Sequence, residues 1–300
     1  MSRIHDALTK AEQETPPSLS AGLQPATAPD ASPLGAGDFP VRPWTPDPAR
    51  LIFTDSPSTP GTLGAGSAGR EEARAIEQLR SLRSRVYQLH AKMPLHSILV
   101  SSALGGEGKT FISANFALAL AKQKRKTLLI DADLRKPGLH QLFGAAPGPG
   151  LTEYLAGAAG LAEVIQGGSI ENLWLMPAGA PVPNAAELLG NQRIAGVLEK
   201  LTPLFDWIVL DSSPVLPVSD AAIIARSCDA VLLVTRAEVT PYDSVQRAQH
   251  EFREARVLGL VLNGATAPGH GAYYYAGYGY GKGKTRGTAP ANGNGKAVGL

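Results

Sequence analysis

The amino-acid sequence predicts an α/β fold in which helices cover both faces of a mostly parallel sheet. Short apolar runs rich in Ile, Leu and Val recur between residues 98 and 263, and segments with helical spacing of apolar residues separate them. Two of these runs end in aspartate, at Asp131 and Asp211. Ligands of open parallel sheets bind at the carboxyl ends of the strands, so both aspartates are candidate site residues.

Composition indicates how much of the chain folds and in which cellular compartment the protein is found. The chain has 300 residues, 44% of them hydrophobic, and a net charge of +2, which argues neither for nor against nucleic acid as a partner. Its 33 glycines and 24 prolines concentrate near the two ends. The single cysteine, Cys228, excludes an internal disulfide, and no secretory signal or membrane-spanning run is visible. We therefore expect a cytoplasmic protein.

The first 70 residues are predicted to lie outside the folded domain. Residues 1–14 form a short amphipathic helix with Ile4, Leu8 and Ala11 on one face, which docks either on a partner or on the chain itself. Residues 15–70 are rich in Pro, Gly, Ala and Ser and are predicted to be a disordered linker. Its one apolar cluster, at residues 51–53, has no assigned role.

The domain is predicted to span residues 71–265 and to begin with a helix from Glu71 to His90. Apolar residues follow one side of that helix, and Glu77, Arg80 and Arg83 form a second stripe at intervals of three. On its own, such a stripe is typical of a solvated face with weak ion pairs.

A glycine-rich turn joins the first predicted strand, around residues 98–100, to a helix over residues 111–122. Glycines let successive backbone N–H groups face a phosphate, and the helix start adds the positive end of its dipole. Lys109 adds a charge and Thr110 a hydroxyl for Mg²⁺. This arrangement is a P-loop and predicts a nucleoside triphosphate site. Its members are Gly105, Gly106, Glu107, Gly108, Lys109, Thr110 and Phe111.

Two later strands end in carboxylates. The run 126–131 ends at Asp131, and Asp133 follows two residues later, so both carboxylates leave the strand end on the same side. The run 205–211 ends at Asp211 in the form of a Walker B element, whose carboxylate holds Mg²⁺, usually through water. A P-loop NTPase is thus the predicted fold.

The rest of the chain continues the alternation and ends in a tail. Further strands are predicted at 173–176, 230–235 and 257–263, and helices within 150–165 and at 184–189, 195–201, 219–227 and 242–255. Residues 266–300 are predicted to be a flexible tail, and part of it holds five of the eight tyrosines. These are Tyr273, Tyr274, Tyr275, Tyr278 and Tyr280. The tail is either a low-complexity segment without chemistry or a set of phosphoryl acceptors.

Together these residues resemble the bacterial tyrosine kinases (BY-kinases) of capsule and exopolysaccharide systems, in their separate cytoplasmic form. Residues 103–110 resemble the family's Walker A element, 131–135 (Asp-Ala-Asp-Leu-Arg) its second acidic element, and 211–215 its Walker B. The segment 183–189 is similar to one found upstream of that Walker B. Gly105 replaces a frequent proline, and Ser212-Ser213-Pro214 replaces Thr-Pro-Pro. Neither departure removes a charged group.

The resemblance implies an ATP- and Mg²⁺-dependent protein-tyrosine kinase. It assigns Lys109 to the phosphates, Thr110, Asp133 and Asp211 to Mg²⁺, and Asp131 to the base that takes the tyrosine proton. The residues alone do not decide between Asp131 and Asp133 as the base. Asn263, at the end of the last strand, either contacts adenine or is an ordinary strand-end residue.

The resemblance also implies an assembly. Glu77, Arg80 and Arg83 match a ring-forming motif, and the five tail tyrosines match an autophosphorylation tail used in trans. The start of the chain is similar to that of members without a fused membrane segment. The implied partners are a transmembrane polysaccharide co-polymerase that activates the kinase at the inner face of the cell membrane, and a cognate tyrosine phosphatase. No nucleic acid is implied.

Two alternatives share this architecture. Division-site and chromosome-partitioning ATPases use ATP as a dimer switch, and their P-loop carries a lysine just before the Gly-Gly pair. Leu104 stands there in this chain and cannot supply that charge. A regulatory nucleotide-binding partner without turnover is disfavoured by the intact set of Asp131, Asp133 and Asp211.

Overall fold

A seven-stranded sheet organises the structure, a computed structural model that describes residues 39–40, 44, 46, 51–52, 67–190 and 192–265. Its strands are β1 (Ser97–Ser102), β2 (Thr127–Asp131), β3 (Gln166–Gly167), β4 (Leu173–Met176), β5 (Trp207–Asp211), β6 (Ala230–Arg236) and β7 (Val257–Asn263). The helices are α1 (Ser67–His90), α2 (Lys109–Ala121), α3 (Leu139–Phe143), α4 (Leu151–Leu155), α5 (Leu161–Val164), α6 (Ala185–Leu189), α7 (Arg193–Leu201), α8 (Asp220–Ala225) and α9 (Tyr242–Glu251).

The strand order places the predicted site elements side by side. The order is β3-β4-β2-β5-β1-β6-β7, and every neighbouring pair is parallel except β3 and β4. β2, β5 and β1 are therefore adjacent, and their carboxyl ends meet at one edge of the sheet. Asp131 pairs in register with Asp211, and Asp211 pairs with Val100 of β1.

Burial on both faces explains why these strands are continuous apolar runs. All residues of β1, β2 and β5 are buried. α2 lies against one face of the sheet, with residues 112–121 entirely buried, and apolar residues of α1 pack in the same core. The opposite face carries a second core that includes Leu201 and Phe252. A parallel sheet covered on both sides requires this pattern.

Part of the predicted disordered linker belongs to the domain. Phe39, Trp44 and Leu51 are buried at 4%, 5% and 1% relative exposure. Phe39 stacks on Phe205, with ring centroids 5.7 Å apart, and Trp44 meets Phe143 edge-on at 5.6 Å. Large apolar side chains favour burial over water even where prolines surround them, so the predicted linker packs on the domain at these three positions. Outside the described residues, the disordered linker stays a prediction.

Backbone contacts fix the same segment at two points. The carbonyl of Pro40 accepts a hydrogen bond from the amide of Gly167 in β3 at 3.0 Å. The amide of Ile52 donates to Oδ1 of Asn115, on α2, at 2.7 Å. We call the six described residues of this segment (39, 40, 44, 46, 51 and 52) the strap. The strap contacts both the β3 edge and the P-loop helix.

Other boundaries differ slightly from the prediction. α1 begins at Ser67 rather than Glu71, and α9 ends at Glu251 rather than residue 255. The short elements α3 and β3 were not predicted, because five and two residues are too few to show a periodicity. Residues 1–14 and 266–300 lie outside the described residues, so their predicted structure stays a prediction. Within the described ranges, no helix is both long and apolar enough to cross a bilayer.

Candidate active site

The P-loop adopts a shape that requires its glycines. Gly106 and Gly108 have φ angles of 81° and 91°, in the left-handed region that side-chain-bearing residues rarely adopt. A Cβ at Gly108 would also overlap the side-chain amide of Asn263. Gly105 and Gly106 are exposed, and α2 begins directly at Lys109. The turn therefore presents backbone at the amino end of a helix, as phosphate binding requires.

Lys109 lies against the carboxylates that follow β2 and β5. Its Nζ is 2.9 Å from Oδ2 of Asp133, and both side chains are largely buried. Burial by itself would lower the pKa of Lys109, but the charges of Asp211 and Asp133 together raise it. Lys109 is thus held as a cation at the site.

Asp131 is fixed in orientation by the loop that follows it. Oδ2 accepts hydrogen bonds from the amides of Gly138 and Leu139, each at 3.0 Å, and Oδ1 accepts one from the amide of Asp133 at 3.2 Å. Its side chain has no exposed surface. Burial raises the pKa of Asp131, and the negative charge of Asp211 raises it further. The carboxylate is therefore more basic than an ordinary aspartate.

Asp211 is the least satisfied polar group at the site. It is fully buried, and neither carboxylate oxygen accepts a hydrogen bond of ordinary distance and angle from a described residue. Burial raises the pKa of Asp211, while Lys109 and the nearby hydroxyl of Thr110 oppose the rise. Two buried carboxylate oxygens without hydrogen-bond donors are well suited to bind a hard cation, which prefers oxygen ligands.

The donor set fits Mg²⁺ bound together with phosphates. Three carboxylates face one lysine, so the site carries excess negative charge. Among the described residues, no group of three His, Cys, Asp or Glu side chains could hold a metal by itself. Mg²⁺ commonly takes only one or two carboxylates and completes its shell with water and phosphate oxygens. The predicted residues Thr110, Asp133 and Asp211 agree with that chemistry.

A second ion pair supports the acidic loop and was missed in the sequence. Arg135 binds Asp220, at the start of α8, through two bonds, from Nε at 2.7 Å and from Nη2 at 3.1 Å. The Asp220 side chain is 1% exposed. Arg135 belongs to the predicted acidic element, but its partner lies 85 positions away, and nothing in the local sequence pairs the two.

Two predicted nucleotide-site residues take unexpected positions. The Glu107 side chain is buried, and its carboxylate accepts a hydrogen bond from the amide of Leu104 at 2.8 Å. Asn263 donates its side-chain amide to the carbonyl of Glu107 at 2.9 Å. Its contact with adenine stays a prediction.

The predicted oligomerisation stripe divides into two parts. Glu77 and Arg80 are exposed on α1 and lie 3.4 Å apart. Nη1 of Arg83 instead donates to the carbonyl of Ala119, on α2, at 3.1 Å. Glu77 and Arg80 are therefore available to a partner, whereas Arg83 is engaged within its own domain. The five predicted acceptor tyrosines lie outside the described residues.

Comparison with known proteins identifies the family. A family model described as an AAA domain matches residues 95–256. A putative tyrosine-protein kinase, CapB of Staphylococcus aureus, is 33% identical over 201 residues, which cover 66% of this chain and 88% of that protein. The chain belongs to the BY-kinase family.

Another BY-kinase and a solved structure agree. Tyrosine-protein kinase YwqD of Bacillus subtilis is 31% identical over 203 residues, covering 67% of this chain and 86% of that protein. The kinase domain of the Escherichia coli tyrosine kinase Etk has a TM-score of 0.62 and 34% identity, and the match covers 69% of this chain and 81% of that domain. The predicted fold and enzyme class are confirmed, and the kinase is favoured over the ATPase switch.

Proposed function

We propose that this chain transfers the γ-phosphoryl group of ATP to tyrosines of its own C-terminal segment in a neighbouring subunit. The observation that carries the proposal is the meeting of Lys109 with three buried carboxylates at the ends of adjacent strands, in a member of the BY-kinase family. Phosphoryl transfer depends mainly on positioning and on charge stabilisation. A rigid P-loop and a compact charged cluster can supply both.

The phosphates occupy the P-loop in this proposal. Backbone N–H groups of residues 106–110 bind the β- and γ-phosphates, and Lys109 exchanges Asp133 for a phosphate oxygen. Thr110, Asp133 and Asp211 hold Mg²⁺, and Asp211 has both oxygens available for it. When bound, Mg²⁺ offsets the charge that develops on the phosphate oxygens.

Asp131 acts as the base that accepts the proton of the incoming tyrosine hydroxyl. A general base works best when its pKa lies near the working pH, and burial raises the pKa of Asp131 in that direction. Three backbone amides hold the carboxylate in one orientation. Asp133 is the second candidate for the base. Because it pairs with Lys109, we assign it to the metal instead.

The names of the relatives support a cellular role. CapB of Staphylococcus aureus and relatives such as the putative kinase of the Klebsiella pneumoniae cps region support a role in regulating capsule or exopolysaccharide polymerisation and export. We propose a transmembrane co-polymerase as the activating partner, which recruits the chain to the inner face of the cell membrane. A cognate tyrosine phosphatase would reverse the modification. Assembly into a ring uses the exposed pair Glu77 and Arg80.

Mass spectrometry of the purified protein after incubation with ATP and Mg²⁺ tests this function. We expect phosphotyrosine on the wild type and at least a roughly hundredfold loss in Lys109→Met, because the charge aimed at the phosphates is removed. Lys92→Met, an exposed lysine before β1, is the matched control and should be phosphorylated normally. ATP hydrolysis without any phosphotyrosine would instead favour the ATPase switch.

A further inference from the structure

Glu107 is the one charged side chain within the glycine-rich turn, and it is directed inward. It is 3% exposed, although both preceding glycines are exposed. Oε2 accepts a hydrogen bond from the amide of Leu104 at 2.8 Å. This bond closes the turn across three residues, with the carboxylate inside it.

The other carboxylate oxygen reaches a different part of the sheet. Oε1 accepts a hydrogen bond from the hydroxyl of Thr240, in the loop between β6 and α9. The same hydroxyl oxygen accepts the amide of Arg236 at 3.1 Å. A threonine hydroxyl has one hydrogen to donate, and because its oxygen accepts from Arg236, that hydrogen is directed to Glu107. The loop after β6 is therefore tied to the P-loop through this single carboxylate.

The backbone of Glu107 supplies a third tie. Its carbonyl accepts the side-chain amide of Asn263, which ends β7, at 2.9 Å. Nη1 of Arg236 also approaches the carbonyl of Gly106 at 3.5 Å. Glu107 is thus joined to the loop after β6 and to the end of β7, through partners 133 and 156 positions away.

These ties matter because a glycine-rich turn is otherwise free to adopt many shapes. Glycine loses more conformational freedom on ordering than any other residue. If the turn became ordered only when phosphate bound, that loss would weaken nucleotide affinity, whereas a turn already held in shape avoids it.

We propose that Glu107 is a positioning residue that holds the P-loop in its phosphate-binding shape by linking it to Thr240. The proposal rests on the nucleotide site proposed above. It predicts a defect in nucleotide binding when the link is broken, with a much smaller effect on phosphoryl transfer, because Lys109 and the three aspartates are untouched.

Substitutions at Thr240 test the link without altering the P-loop. Thr240→Val keeps the shape but removes the hydroxyl, so we expect roughly tenfold weaker binding of a fluorescent ADP analogue and a similar rise in KM for ATP, with kcat within about twofold. Thr240→Ser keeps the hydroxyl and should bind like the wild type. Glu107→Ala should lose affinity to a similar extent, and Glu107→Gln, which keeps one of the two acceptor oxygens, should recover part of the loss.

The double variant that combines Glu107→Ala with Thr240→Val decides whether the two residues act as one link. If they do, Thr240→Val should add little to the loss in Glu107→Ala, because the contact is already gone. Wild-type ADP affinity in Thr240→Val, or losses that add in the double variant, would overturn the proposal. If Glu107→Ala fails to fold, the Val and Ser variants at position 240 decide the matter alone. A wild type that binds ADP but forms no phosphotyrosine would contradict the proposed function and leave this comparison intact.

Discussion

At the scale of single residues, the site stores negative charge that a bound cation would relieve. Asp131 and Asp211 pair in register at the ends of adjacent strands, and both are fully buried. Lys109 is the cation placed among these carboxylates, and it pairs directly with Asp133. Ionising both members of the Asp131–Asp211 pair is therefore costly unless Mg²⁺ is bound.

The cost should appear as a pH dependence of stability. Burial raises the pKa of Asp131 and of Asp211, so between about pH 4 and pH 7 the folded protein binds more protons than the unfolded chain. The free energy of unfolding, measured by urea denaturation in EDTA without nucleotide, should accordingly fall from pH 5.5 to pH 8. Asp211→Asn removes one charge of the pair. It should reduce the fall in the free energy of unfolding between pH 5.5 and pH 8 by on the order of 2 kcal/mol.

Glu251→Gln is the matched control for that measurement, since Glu251 is exposed on α9 and should leave the wild-type slope unchanged. Mg²⁺ with nucleotide should also reduce the slope in the wild type, because the cation replaces the bound protons. Equal slopes in the wild type and Asp211→Asn would show that these two carboxylates are not coupled.

At the scale of elements, the sequence predicted the strands and turns that contiguous residues determine. β1, β2 and β5 were predicted because buried parallel strands read as continuous apolar runs, and the P-loop because its glycines and Lys-Thr are contiguous. The Arg135–Asp220 and Glu107–Thr240 contacts join residues 85 and 133 positions apart, so only the folded sheet brings them together. The buried Phe39 and Trp44 were hidden in a segment whose average composition is that of a linker.

The Arg135–Asp220 pair should contribute more than an ordinary surface ion pair. Arg135→Lys keeps the charge but loses the two-pronged contact, and it leaves a carboxylate that is 1% exposed with a poorer partner. We expect a loss of about 1–2 kcal/mol in the free energy of unfolding, together with reduced kinase activity, because the pair anchors the loop after Asp133. The matched control is Arg226→Lys, whose pair with Glu254 is mostly exposed and should contribute less than about 0.5 kcal/mol. Equal effects of the two substitutions would remove the structural role assigned to Arg135.

The strap should be part of the cooperative domain. Trp44 is 5% exposed, and its ring lies so close to Gly168 that a side chain there would overlap it. Trp44→Ala should lower the free energy of unfolding by about 3 kcal/mol, in a single transition. Val239→Ala, at a position that is 65% exposed, should change it by less than about 0.5 kcal/mol. If Trp44→Ala has the stability of the wild type, the strap is not part of the cooperative domain and the prediction of a disordered linker holds there.

At the scale of the whole molecule, the divided stripe on α1 refines the prediction for assembly. Arg80 makes only an exposed pair with Glu77, which contributes little to monomer stability. Arg80→Ala should therefore reduce oligomers in sedimentation velocity while leaving the unfolding midpoint unchanged. Arg85→Ala, an exposed arginine of the same helix outside the stripe, should sediment like the wild type. Arg83→Ala should lower stability as well, because it loses its bond to Ala119. If Arg80→Ala sediments like the wild type, the stripe is a solvated face without a role in assembly.

Transfer between subunits is the central claim for the whole molecule, and a mixture of two variants tests it most directly. One is Lys109→Met, which keeps the tail but cannot use ATP, and the other carries Phe at the five tail positions, which keeps the site but removes the acceptors. Each alone should form almost no phosphotyrosine. Mixed with ATP and Mg²⁺ and analysed by mass spectrometry, they should yield phosphotyrosine on the tail of the Lys109→Met protein, at Tyr273 to Tyr280. Phosphate that is absent from the mixture, or that appears only at Tyr87, Tyr154 or Tyr242, would contradict the account.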